Sequence, residues 1–104
     1  KKEKTMTINS KTDGNITTIS ISGRFDFSSH KDFRGTYAGS DGVSSHYVID
    51  MSATEYIDSS ALGMLLLLRE HAGSDKSRIT IQGACNEVKD ILAVSNFDKL
   101  FTLS

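Results

Sequence analysis

The chain has 104 residues, 38% hydrophobic and 24% charged, with 12 basic against 13 acidic side chains and a formal net charge of −1. That length supports one core but not two, and the composition is that of a folded domain rather than a disordered segment. The even charge balance removes the bulk attraction on which most nucleic-acid binders depend, so no nucleic-acid partner is expected.

Residues 1–104 are expected to form a single domain, with the "KKEKT" of residues 1–5 a disordered tail. Met6 to Ser10 is a candidate first strand. Asp13-Gly14-Asn15 is a turn signal leading into "ITTISISG", where Ile19 and Ile21 alternate with serines and Phe25 keeps the same parity. An opening hairpin is therefore expected. In "FSSHKDFRGTY", Phe33 and Tyr37 stand four apart and Ser28 or Ser29 can cap a short helix. Residues 38–45, "AGSDGVSS", read as a loop.

"YVIDM" (47–51) is nearly continuously apolar and β-branched, the pattern of a strand covered on both faces. Residues 56–73, "YIDSSALGMLLLLREHAG", then place two serines at the head of an apolar helix, with Ala72-Gly73 as its C-cap. The apolar run Ala61 to Leu68 is much too short to span a bilayer, and no signal-peptide pattern opens the chain. "RITIQG" (78–83) alternates again. Cys85 is the one cysteine, which excludes an internal disulfide and suits a small buried side chain in a reducing compartment. Val88, Ile91, Leu92 and Ser95 fall at helical spacing, and "FDKLFTL" closes the chain with a short last strand. Strands separated by helices imply a mainly parallel sheet with helices packed on it. A cytoplasmic protein that makes no membrane contact is expected.

Enzymatic chemistry finds little support in these residues. Ser60 as a nucleophile needs a base, and the candidates are His30, His46 and His71. His71 lies about 16 Å along the same helix and cannot reach it. The flanks lack the strand–G-x-S-x-G–helix pattern of a nucleophile elbow. Three histidines and one cysteine show no metal-ligand spacing, and no glycine-rich phosphate loop is present. No cofactor and no metal are expected.

Asp58 and Ser59 fit the chemistry of a helix N-terminus. At about 100° per residue, Ala61, Leu65, Leu68 and Ala72 share a core face, flanked by Leu62 and Met64. Ser60, Gly63, Leu67 and His71 form a different stripe. Leu67 there either meets a partner or lies under a neighbouring loop. Of the four consecutive leucines, the other three are assigned to packing or its edge. A phosphoserine adds about −1.5 to −2 charge. At a helix N-terminus the dipole and free amides tolerate that charge, while a partner packed over the same spot loses its contact. Asp58 and Asp26, if close, add to the negative field.

"YVIDMSATEYIDSSALGMLLLL" resembles the signature of STAS domains, specifically bacterial anti-anti-sigma factors, in which a strand ending in Asp leads to Asp-Ser-Ser-Gly/Ala-Leu-Gly and an apolar helix. "GRFDFSSHKDFR" (23–34) is similar to the family's Gly-x-Leu-Asp segment, and "NEVKDILAVSNFDKLF" (86–101) to its last helix. The resemblance implies an α/β fold: a four- to five-stranded, mainly parallel mixed sheet with an N-terminal hairpin, flanked by three or four helices. It also implies a partner-switching regulator of transcription. The unphosphorylated protein binds an anti-sigma factor, often a serine kinase. Phosphorylation of the second motif serine, here Ser60, ends that binding, and a PP2C-type serine phosphatase restores it. The closest wording is that of gamma-proteobacterial systems, some of which regulate motility or biofilm. Asp58 and Ser59 match the preceding motif positions and Asp26 the acid of the other loop. Ala61 replaces a frequent glycine, as does Asn96, which tolerates a left-handed backbone.

The expected partner-binding set is Asp26, Ser28, Asp58, Ser59, Ser60, Gly63, Met64 and Leu67, on a protein that is monomeric when unbound. An accessory subunit of a transporter or lipid-trafficking complex, without a phospho-switch, is the alternative.

Overall fold

A computed structural model of the chain describes residues 6–38, 46–74 and 78–104. The tail expected over 1–5 and most of the 38–45 loop lie outside the described residues. The elements run β1 (Met6–Asp13), β2 (Ile16–Phe25), a 3-10 turn (Phe27–Ser29), α1 (His30–Gly35), β3 (His46–Ile57) and α2 (Ser59–His71). They continue with β4 (Ile79–Gln82), α3 (Asn86–Val94), a second 3-10 turn (Phe97–Lys99) and β5 (Thr102–Leu103). The strands form one sheet in the order β1-β2-β3-β4-β5, with β1 antiparallel to β2 and every other pair parallel. The expected α/β architecture, opening hairpin and short last strand are all present.

The hairpin closes through a two-residue loop, Gly14-Asn15, between the paired Asp13 and Ile16. Gly14 has φ +65 and Asn15 is not among the residues with positive φ, the pattern of a type II′ turn whose twist suits the flanking strands. β1 consequently runs three residues beyond the expected Ser10. β3 is also longer than 47–51, reaching Ile57. Thr54 Oγ1 donates to Ile21 O at 2.7 Å, and register shifts at Ser20/Ser22 and Gly23/Arg24 let β2 follow β3 to its end.

The core lies on one face of the sheet. Ile19, Ile21, Phe25, Tyr47, Ile49, Met51, Ile79 and Ile81 all point the same way and pack with Phe33 of α1, Leu65 and Leu68 of α2, and Val88 and Leu92 of α3 in a single cluster. β3 is therefore not covered on both faces as expected. Val48 and Asp50 point away from the helices and are only half-buried. The β-branched run is explained by β3's central position between β2 and β4, not by two packed layers.

Helix ends obey local chemistry. α2 ends on Gly73 at φ +87, with Gly73 N donating to Glu70 O at 3.1 Å and Ser74 N to Arg69 O at 2.8 Å, a Schellman motif. α3 ends with Asn96 in the left-handed conformation at φ +61, the geometry the sequence allowed it. Phe97 and Phe101 then stack at 5.2 Å, are both buried, and return the chain to the sheet as β5.

Candidate functional site

The register of the two central strands creates the site. β2 and β3 are parallel and share their last pair, Phe25↔Ile57, so both chains leave the sheet at the same edge. Asp58 N still donates to Phe25 O at 3.4 Å, which holds the two exits side by side. At each exit an aspartate in extended conformation caps a helical segment: Asp26 caps the 3-10 turn and Asp58 caps α2. Open parallel sheets bind their ligands at this carboxyl edge.

Asp26 Oδ1 accepts from Ser28 N at 3.0 Å and from Ser28 Oγ at 2.6 Å, and Ser29 Oγ accepts from Asp26 N at 3.4 Å. The arrangement is a capping box. Ser29 does occupy the N-cap position of α1, as expected, but its side chain makes no capping bond to that helix, and the capping box belongs to the 3-10 turn before it. The charged acceptor is Asp26, Ser28 is one of its donors, and Ser29 is buried as the return partner. The Ser28 hydroxyl, more than any other group, holds the Asp26 carboxyl below its ordinary value of 3.8, with smaller help from Ser28 N and from Arg24 at 3.8 Å. A depressed carboxyl favours its ionised, capping form. The cap is complete above pH 3.8 and is lost as pH falls through the lower folded value. In Ser28→Ala the Asp26 titration, followed by carboxyl carbon NMR, is expected to move back up toward 3.8. An unchanged midpoint would show that Ser28 is not its main partner.

Asp58 Oδ1 accepts from Ala61 N at 2.9 Å, so the cap of α2 is the aspartate and not a serine. Ser59 and Ser60 occupy the first two helical positions, Ser59 exposed and Ser60 half-buried. Asp58→Ala is expected to cost about 1 kcal/mol (range about 0.5–2), while Asp58→Asn costs less because it keeps an acceptor. Thermal denaturation followed by circular dichroism checks this. Equal losses for the two variants would contradict the assigned cap.

Along α2 the wheel separates as expected. Ala61, Leu65, Leu68 and Ala72 are fully buried, Gly63 is exposed and Leu67 is 52% exposed. Two assignments change. Leu66 is 39% exposed, so only Leu65 and Leu68 of the four consecutive leucines pack in the core. His71 is half-buried against Tyr37 and Tyr47, with ring centroids at 5.0 and 6.4 Å. Burial in the same group of rings pushes the Tyr37 phenol above its ordinary pKa. Met64, in the expected partner-binding set, is 5% exposed and joins the core while facing a cleft between α1 and α2. That cleft measures about 370 Å³, with Phe33, Tyr37 and Met64 at its floor and His30, Arg34 and Leu67 on its rim.

Phe27 was absent from the expected set. It is 68% exposed beside Asp26, and its ring stacks on His30 at 5.5 Å and 15°. Its parity with Phe25 points inward in a strand, and only the turn after Asp26 throws it outward. Cys85, expected to be buried, is exposed at the head of α3, its Sγ 4.0 Å from Thr54 O. No group of three or more metal-ligating side chains occurs among the described residues, and none of their helices is long and apolar enough to cross a membrane.

The family model for the Mlab, STAS domain matches residues 8–103. A STAS-domain containing protein of Pseudomonas aeruginosa (strain UCBPP-PA14) is 50% identical over 92 residues, covering 88% of this chain and 91% of that protein. Among solved structures, an anti-sigma factor antagonist from Mycobacterium paratuberculosis superposes with a TM-score of 0.77 at 22% identity, covering 94% of this chain and 84% of that one. The anti-sigma factor antagonist SpoIIAA in its unphosphorylated form gives 0.76 at 11% identity, covering 94% and 88%. The phosphorylated form of SpoIIAA, from Bacillus, gives 0.72 at the same identity, covering 94% and 91%. With a matching family model over nearly the whole chain and a relative of the same kind at 50% identity, this chain belongs to the STAS domain family.

Proposed function

We propose that this chain is an anti-sigma factor antagonist: a non-enzymatic, single-domain cytoplasmic regulator, monomeric when unbound, whose binding to an anti-sigma factor is switched by phosphorylation of Ser60. The observation that carries this reading is the cap. Because Asp58 satisfies Ala61 N, neither serine is needed to start α2, and Ser60 stands at the head of the stripe that continues through exposed Gly63 and Leu67. The likeness to antagonists solved in unphosphorylated and phosphorylated forms supports it.

The physics of the switch is local. A phosphoryl group on Ser60 meets the positive end of the α2 dipole, so the helix accommodates it. A partner resting on the Asp26–Ser28 turn, the Asp58–Ser60 helix head and Leu67 meets a dianion where it had a desolvated contact. The Asp26 and Asp58 carboxylates already make this edge negative. Added charge there repels an acidic partner and costs any partner the hydration of the phosphate. A serine kinase, which can be the anti-sigma factor itself, adds the group and a PP2C-type phosphatase removes it. The output is transcriptional, with motility or biofilm genes as the regulated process.

Peptide mapping by mass spectrometry of the protein purified from its native host, with phosphatases inhibited, tests the modification. A phosphate on Ser60 is expected in part of the population. Phosphate confined to Ser59, or a wholly unmodified peptide through every growth phase, would refute the switch and favour a STAS subunit with no phospho-control.

A further inference from the structure

We infer that the cleft between α1 and α2, with Phe27 at its mouth, receives an amphipathic helix of the partner whose apolar stripe is bordered by acidic residues. This rests on the partner-binding reading above. It adds the α1 side of the surface and the chemistry of what that surface holds.

The shape is that of a helix groove. Phe33 lies on α1 and Tyr37 in the turn just beyond its end, while Met64 and Leu67 stand three apart on α2, so apolar side chains border both sides of one furrow. Helix-in-groove recognition uses such a furrow, with anchors at i, i+3 or i+4, and i+7. At about 370 Å³ the cleft sits near the lower end of ligand-sized cavities, roughly 300–1,000 Å³. Its apolar surface does not stop at the cavity. Phe27, 68% exposed and stacked on His30, extends it at one lip, and Leu67, 52% exposed, extends it on the α2 side. A small molecule confined to the cleft leaves Phe27, which lies outside its lining, uncovered, whereas a helix lying along it covers both Phe27 and Leu67. Exposed aromatic and arginine side chains are the residue types that dominate protein interfaces.

Charge gives the occupant its sign. The ionisable side chains lining the cleft are His30, Arg34, Tyr37 and His71, with no carboxylate among its described lining residues. Arg34 is exposed on α1, whereas Lys31, Asp32 and Glu70, also exposed on the two helices, do not line the cleft. Acidic residues beside the partner's apolar stripe therefore find a complementary rim. A second groove of about 350 Å³ has the opposite character: Val88 and Ile91 are bordered by Glu55, Glu87 and Asp90. It repels the same helix, so the two grooves discriminate by sign. Continuity with the switch comes from α2 itself. Leu67 lies seven residues, about 10 Å, from Ser60 on the same outward stripe.

The test is selection from a phage-displayed library of amphipathic helical peptides on the intact chain. Enriched peptides are expected to combine apolar residues at i and i+3 or i+4 with flanking Asp or Glu. Their affinity is expected to fall at least tenfold in Arg34→Glu and in Phe27→Ala, and to stay unchanged in Glu87→Lys. Changing the peptide acids to lysine is expected to restore binding to Arg34→Glu. Both altered residues are exposed, and a thermal melt confirms that each variant folds. No enrichment, peptides that bind both variants as well as the original chain, or dependence on Glu87 would overturn the inference. Capture of the native partner separates this from the switch. If Ser60→Asp loses the partner while Arg34→Glu and Phe27→Ala keep it, the switch stands and the cleft is wrong. The reverse result keeps the cleft and refutes the switch.

Discussion

Ser60→Asp is expected to bind the partner at least tenfold more weakly than Ser60→Ala, with melting temperatures of the two variants within a few degrees of each other. Tenfold is about 1.4 kcal/mol, a modest loss for a charge forced into a desolvated contact. The small effect on stability is a matter of position. Ser60 is the second residue of α2, half-buried, and the cap is made by Asp58 to Ala61 N, so nothing in the helix start depends on the hydroxyl. An acidic residue in the first turn also interacts favourably with the helix dipole, by about 0.3–1 kcal/mol. Quantitative pulldown with calorimetry on the same preparations checks both halves. Equal capture by the two variants contradicts the switch. A collapse of the melting temperature in Ser60→Asp instead assigns the serine a structural role.

The consecutive leucines of α2 should divide just as sharply. Leu65 and Leu68 are fully buried in the cluster that joins the sheet to α1, α2 and α3. Either one changed to Ala is expected to cost about 2–5 kcal/mol through lost transfer energy and the cavity left behind. For a domain of this size each kcal/mol lowers the melting temperature by about 4–8 °C. Leu66→Ala and Leu67→Ala, at 39% and 52% exposure, are expected to cost under about 1 kcal/mol. Only Leu67→Ala should also weaken partner capture, because Leu66 lies off the Ser60–Gly63–Leu67 stripe. A loss of several kcal/mol on Leu67→Ala would move that residue into the core and remove it from the proposed interface.

These contrasts show what one-dimensional pattern can and cannot carry. The α2 core face was legible because helical spacing alone brings Ala61, Leu65, Leu68 and Ala72 together, and each is fully buried. The helix end was legible because Gly73 is the residue that takes φ +87 without strain. β3 was harder. Its last six residues, Ser52 to Ile57, mix small, polar and aromatic side chains, and what keeps them in the sheet is a partner strand 33 residues away in sequence, through Thr54 to Ile21. The two-faced cover expected of β3 failed because a continuous apolar run does not reveal how many layers pack on it.

The site was legible in its α2 half and obscure in its other half. Asp58-Ser59-Ser60 announces a helix N-terminus, whereas "DFSSHKDF" offers three candidate caps within four residues. The choice fell to Asp26 because the Phe25↔Ile57 register ends β2 there. That same non-local pairing sets Asp26 beside Asp58 and turns Phe27 outward. Of the residues expected to meet a partner, Ser28, Ser59, Gly63 and Leu67 are exposed, Asp26, Asp58 and Ser60 are half-buried, and Met64 is buried in the core.

The most direct measurement is the affinity of the chain for the proposed anti-sigma factor partner before and after stoichiometric phosphorylation of Ser60, with a melting curve taken on each form. Tight binding by the unmodified form, at least tenfold weaker binding by the phosphorylated form, and melting temperatures within a few degrees are the expected results. Equal affinity of the two forms, or a phosphorylated form that has unfolded, would contradict a charge switch carried on an intact helix head.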